Sequence, residues 1–370
     1  MVKSLTFFDP EHVDRRTPQQ PWWALAFAVL GVAILLTIAW EIYWRGEGFI
    51  AGDYKNTTGL WAAERAKAKG AALVIAGASR AFGDINLDVW EAETGERPIQ
   101  LAIEGESPLA VVADLASDEA FKGLLIVGVA NDLFFYYRST ETRKFIDAYH
   151  RKSPAGWSEQ AIANVLEKRI AFLDEDTRAG FVLATMGWPR RAGVKGSEGR
   201  PDFPRVPKLF TLGPDRGAMM WARAENDAAY ASVFKAFWAY YTDGSRPPKA
   251  DQLASEAVAQ MVSDVNQIRS RGGDVVFVNF PISGPVMTTE EQSAPRGKTF
   301  DRLISETGSI GIHYADHSEW TRLNLPEYSH LAAADAKIFT SALIPVIDEA
   351  LAAKGGRRLY RDRNSLPGGA

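Results

Sequence analysis

The chain has 370 residues, 46% of them hydrophobic and 24% charged, enough to bury one large core or two smaller ones once an N-terminal anchor is set aside, and one enlarged domain is expected. A formal net charge of -4 gives no global attraction to nucleic acid, and no nucleic-acid-binding motif is present. There is no cysteine, which excludes disulfides, thiolate metal sites and a cysteine nucleophile; the histidines are His12, His150, His313, His317 and His330, a short list for chemistry that needs an imidazole.

From Trp22 to Trp40 the chain runs without a charge, and at about 1.5 Å per residue this nearly matches a hydrocarbon core of about 30 Å. Trp22 and Trp23 stand at one end and Trp40, Tyr43 and Trp44 at the other, where amphipathic rings settle at the two headgroup levels. A buried globular helix rarely lacks a polar face for so long, and no small-residue cleavage site of a signal peptide follows before Glu41. Residues 22–44 are therefore expected to form one transmembrane helix, with the lipid bilayer as partner. Lys3, Arg15 and Arg16 precede it, so residues 1–21 are expected in the cytoplasm and the chain in the inner (cytoplasmic) membrane. Residues 45–354 would then form an extracytoplasmic, periplasmic domain, tethered by a polar stretch around Gly46 to Thr58. Residues 355–370 read as a disordered tail.

Short apolar runs at 72–76, 98–102, 124–129, 275–280 and 310–314 read as strands buried on both faces. Between them lie helical patterns: Asp251 to Ser270 carries an apolar stripe from Leu253 to Ile268 and stops at Gly272 and Gly273, and a last helix after His330 carries Phe339, Leu343, Val346, Ile347 and Leu351. Alternating strands and helices predict a three-layer α/β domain around a parallel sheet. Residues about 151–246 break the rhythm and read as an insertion, two helices around a stretch bearing Arg190, Arg191, Lys195, Arg200, Arg205, Lys208 and Arg216. That stretch is either a solvated loop or a basic surface for headgroups or an anionic polymer.

The first strand runs into Gly77-Ala78-Ser79-Arg80, and ligands of open parallel sheets bind at the carboxyl ends of strands. Ser79 is thus either a helix-capping or anion-binding hydroxyl or a nucleophile raised at a strand-to-helix turn. Before the last helix, Glu327-Tyr328-Ser329-His330 puts a carboxylate three residues from an imidazole. A serine needs a base near neutral pKa, and that base needs a carboxylate to hold its tautomer. His330 as a simple helix cap is the alternative. Arg80 is a possible substrate contact or the ion-pair partner of Asp84 or Glu104. Phe134, Phe135, Tyr136 and Tyr137 line a pocket or simply pack. His313, Asp316 and His317 lie close together without recognisable metal-ligand spacing, so no metal and no cofactor is expected.

A strand ending in Gly-x-Ser, a lone Gly after the second strand, an Asn after the third and an acid-x-x-His near the end resemble, in the same order, the four blocks of SGNH (GDSL-like) hydrolases, a flavodoxin-like three-layer fold. Here these are Gly77-Ala78-Ser79, Gly105, Asn131 and Glu327-Tyr328-Ser329-His330. More narrowly, GASRAFGDINL, QLAIEGESP, VVFVNFPISGP and SHLAAADAKIFT are similar to membrane-anchored SGNH-like proteins that accompany membrane-bound O-acyltransferases in modifying polysaccharides, over roughly residues 71–137 and 272–351. The resemblance implies Ser79 as nucleophile, His330 as general base and Glu327 as its orienting acid. It also implies an oxyanion hole from the Ser79 and Gly105 amides and the Asn131 side chain.

Three departures are visible: Ala78 where many members have Asp, Glu327 where Asp is usual, and Val129 at the glycine position before Asn131, with Gly128 one place earlier. Asp316 is the nearest alternative acid. The resemblance implies transfer of an acetyl or similar group to a polysaccharide acceptor, in concert with a membrane-bound O-acyltransferase. A carboxylesterase or deacetylase, and a catalytically weak scaffold subunit, are the competing readings.

Overall fold

The computed structural model describes residues 20–151, 153–178, 182, 208–241, 247–355 and 358–360. Its strands are β1 (Leu73–Ala76), β2 (Ile99–Gln100), β3 (Leu124–Val129), β4 (Phe210–Leu212), β5 (Ala218–Met220), β6 (Asp274–Asn279) and β7 (Ile310–His313). Five pair in parallel in the order β2-β1-β3-β6-β7, while β4 and β5 form a separate antiparallel hairpin. In register, Ala76 of β1 stands opposite Val127 of β3, and Val127 opposite Phe277 of β6.

Because successive side chains leave a strand on opposite faces, each apolar run feeds two cores. Leu73, Ile75, Leu124, Ile126, Val276 and Val278 join one core with Phe339, Leu343 and Ile347 of the last helix, Ala333–Ala353. Val74, Ala76, Leu125, Val127, Val275 and Phe277 join the other with Val258, Met261 and Val265 of the helix Ala250–Ser270. The result is the expected α/β arrangement of helices on both faces of a parallel sheet. β2 is shorter than its apolar run, but backbone bonding continues past it, from Leu101 N to Ile75 O and from Ile103 N to Gly77 O.

α1 spans Trp22–Gly46 and is long and apolar enough to cross a membrane. Its last turn is gripped by the domain. The Glu41 carboxylate accepts from the amides of Ala171 and Phe172 at 3.0 and 3.2 Å, Arg45 donates to Arg169 O, and Trp44 is buried against Phe49. The stretch after α1 is therefore no free tether: Phe49 packs on Trp221, Gly52 N bonds Glu167 O and Tyr54 N bonds Leu212 O.

The insertion is not helical throughout, since β4 and β5 lie inside it between the helices Pro154–Glu167 and Ala228–Tyr241. Neither of its two described cations in the basic stretch is a solvated surface group. Lys208 is ion-paired to Asp53 and Asp174, and buried Arg216 donates to the carbonyls of Gln100 and Ala102. Arg190, Arg191, Lys195, Arg200 and Arg205 lie outside the described residues, as do residues 1–19. In the expected tail, Arg358 is ion-paired to Asp348 and Leu359 N donates to the same carboxylate; residues 356, 357 and 361–370 lie outside the described residues.

Candidate active site

β1 and β3 are neighbours, yet the chain leaves β1 for β2 on one side and then crosses to β3 on the other. The carboxyl ends of β1 and β3 therefore flank the crevice where open α/β sheets bind ligands. The bend after β1 is possible because Gly77 and Gly128 lack side chains. A Cβ at either would come within 2.4 or 2.5 Å of the Ala81 Cβ. Gly128, one place before the position the resemblance favours, thus lets the short helix Ser79–Gly83 lie on β3.

Ser79 opens that helix but does not cap it; its Oγ is 2.8 Å from His330 Nε2. On the other side of the ring, His330 Nδ1 is 2.9 Å from Glu327 Oε1. His330 does not cap the last helix, whose first turn begins at Ala333 and whose leading amide donates to Glu225 instead. With Nδ1–H donating to Glu327, Nε2 is left to accept the Ser79 hydroxyl proton.

Glutamate reaches because the chain between it and His330 folds into a tight turn. Tyr328 adopts a left-handed φ of 79°, and Glu327 Oε1 accepts the amides of Ser329 and His330 at 3.1 and 2.6 Å. The extra methylene is thereby folded back under the imidazole. Glu327 Oε2 accepts from the indole Nε1 of Trp238, on the insertion helix. Burial works against a charged Glu327, but His330 and these donors outweigh it and hold the carboxyl below its ordinary value. Burial likewise disfavours imidazolium at His330, yet Glu327 outweighs it and raises the pKa above the ordinary value. Asp316 takes no part: it forms a bidentate pair with Arg296. His313, pushed down to about 4 chiefly by burial, accepts from Ala315 N, and His317 stacks on Trp320.

Ser79 and His330 open on a cavity of about 670 Å³ that Gly105 also lines. Gly105 sits in a turn with φ of 69°, closed by the Glu106 N to Ile103 O bond. Asn131 does not line it. Its side chain is turned into the protein, with Nδ2 3.5 Å from Ala294 O and Oδ1 accepting from Asn279 Nδ2. β3 is followed by Ala130 and then a wide helical turn, Asp132–Tyr136, and Ala130, Asp132 and Leu133 line the cavity instead. The same turn buries Phe134, Phe135 and Tyr136, and only Tyr137 of the aromatic run reaches the cavity.

Arg80 is buried and pairs with Glu290, not with Asp84 or Glu104, while its Nε donates to Ser329 Oγ at 3.2 Å. Asp84 lies beneath the site: one oxygen accepts from Leu331 N at 2.9 Å, and burial raises its carboxyl to about 7. Trp238 and Glu290 had no signal in the sequence, being far from Ser79 and His330 along the chain, and Asp132 had no motif spacing; Asp84 was legible only as a possible partner of Arg80, not as a group beneath His330. No family model and no curated protein matches the chain.

Proposed function

We propose that the chain is a membrane-anchored serine acyltransferase of SGNH type, acting on an extracytoplasmic polysaccharide. The observation that carries this reading is the continuous chain of contacts Ser79 Oγ, His330 Nε2, His330 Nδ1, Glu327 Oε1, at 2.8 and 2.9 Å, in one buried corner of a cavity. Ser79 Oγ attacks the carbonyl of an acyl donor while its proton passes to His330 Nε2. The amides of Ser79 and Gly105 face the charge that develops on the acyl oxygen. Collapse expels the leaving group, which takes the proton from His330, and leaves acyl-Ser79. A sugar hydroxyl then attacks the acyl carbon, gives its proton to His330, and departs as the ester while Ser79 regains its proton.

α1 supports the anchor, and its short N-terminal flank of Lys3, Arg15 and Arg16 supports a periplasmic domain on the inner membrane. A membrane-bound O-acyltransferase is the expected supplier of acyl groups. The test is to incubate the purified full chain with 4-nitrophenyl acetate and look by mass spectrometry for acetyl on Ser79, with and without a polysaccharide acceptor. Acetyl-Ser79 discharged by acceptor is expected. Discharge by water alone makes the protein an esterase, and no adduct makes it a scaffold.

A further inference from the structure

The helix Pro154–Glu167 is amphipathic in the reverse sense. A helix on the surface of a globular domain ordinarily turns its apolar stripe to the core. Here the side against the domain is polar, with Gln160, Asn164 and Glu167 at i, i+4 and i+7. Gln160 accepts from the Thr57 hydroxyl at 3.1 Å and donates to Asn164 at 2.7 Å, while Glu167, buried, accepts from the Lys55 amide at 3.4 Å. The opposite side carries Ile162, Val165 and Leu166 at i, i+3 and i+4, and these are 61%, 55% and 43% exposed. Ala161 is exposed beside them, and Glu159, the one exposed charge of the helix, falls at the border between the two sides. A contiguous exposed apolar face marks a surface that a partner or a membrane covers.

The position of the helix beside α1 identifies the cover. Three residues after Leu166, no more than about 11 Å even along an extended chain, the Arg169 carbonyl accepts from Arg45 of α1 at 3.2 Å. The Ala171 and Phe172 amides that follow donate to Glu41. Glu41 is the first charge after the apolar run and directly follows Trp40, at the level where hydrocarbon gives way to headgroups. Ile50, in the stretch after α1, is 52% exposed and lies two residues before the Gly52 amide that bonds Glu167 O at 2.8 Å, so the apolar patch continues toward α1. Lys168 and Arg169, both exposed, follow the apolar face at the end where cations would meet headgroup phosphates.

Resting on the reading of α1 as a membrane span, we infer that the helix Pro154–Glu167 is an interfacial helix, with Ile162, Val165 and Leu166 set into the boundary between headgroups and acyl chains of the bilayer that α1 crosses. The domain thus rests on the membrane at a second place besides its anchor. Because the chain has no cysteine, Ile162→Cys, Val165→Cys and Leu166→Cys can each carry a single nitroxide on the full chain. The protein is placed in vesicles of equal parts phosphatidylethanolamine and phosphatidylglycerol. Collisions of each label with oxygen, which concentrates in hydrocarbon, and with a water-soluble nickel chelate, which hydrocarbon excludes, are then measured by power saturation. Glu119→Cys, exposed in the turn before β3 at the end of the sheet away from the cavity, gives the aqueous reference, and Ile34→Cys within α1 gives the lipid reference.

The ratio of oxygen to chelate collisions is expected to be several-fold higher at positions 162, 165 and 166 than at 119, approaching that at 34; three separate labels keep the test decisive should one variant misfold. Free collision with both reagents at the three positions places the face in water and overturns the inference. Protection from both places it under protein, a second copy of the chain, and also overturns it. Either result, with the label at 34 still in lipid, leaves the membrane span standing. A label at 34 that meets the chelate freely removes the span itself and the inference with it.

Discussion

His330 is buried and still basic, because Glu327 outweighs the burial that would otherwise keep it neutral. A base must be unprotonated, so the rising limb of kcat/KM for ester cleavage is expected above the ordinary histidine value of about 6.5. Glu327→Gln removes the charge, so that limb should move to lower pH while kcat falls by about 10³- to 10⁴-fold; stopped-flow release of 4-nitrophenol across pH 5 to 9 checks both. Asp84 gives a different signature. Its folded-state pKa of about 7 lies above its unfolded value, so its contribution to stability is present at low pH and is lost as pH rises toward 7. Asp84→Asn keeps an oxygen for the Leu331 amide, so melting temperatures from pH 4 to 8 should show a stability gain near neutrality that vanishes in acid.

At the level of elements, the site is assembled from three distant pieces: the turn after β1, the turn before the last helix, and the insertion helix Ala228–Tyr241. The insertion's contribution is the Trp238 indole on Glu327. A hydrogen bond to a charged group is worth about 1.5–3 kcal/mol, so Trp238→Phe is expected to lower kcat by about tenfold or more with little change in KM. The β1 turn depends on small residues. Gly128→Ala would place a Cβ 2.5 Å from Ala81 and 2.9 Å from Phe280, and should destabilise the fold by about 1–3 kcal/mol in urea titration.

For the whole molecule, α1 and the domain share an interface through Glu41, Trp44 and Arg45. The end of this apolar helix is thus part of the domain's packing. A fragment starting at Trp40 should melt higher than one starting at Glu47, because the second loses the carboxylate on the Ala171 and Phe172 amides and the Trp44 ring under Phe49. Differential scanning calorimetry of the two fragments in the same detergent decides this. The cavity rim at Asp174 lies two residues from the Phe172 amide that Glu41 holds, so one short segment touches both α1 and the cavity.

What the chain's own order determined was whatever repeats locally: the charge-free run of α1, the buried strands, the stop of the helix Ala250–Ser270 at its glycines, and the Glu327-x-x-His330 spacing with Ser79 at a strand end. These are legible because periodicity and spacing act over a few residues. The three-dimensional fold alone decided that Glu327 curls beneath His330, that Trp238 caps it from an insertion, that Arg80 turns to Glu290, and that Asn131 faces inward while Asp132 faces the cavity. Those outcomes depend on how burial leaves a charge or an amide seeking its nearest partner, and the nearest partner in space lies far away in sequence.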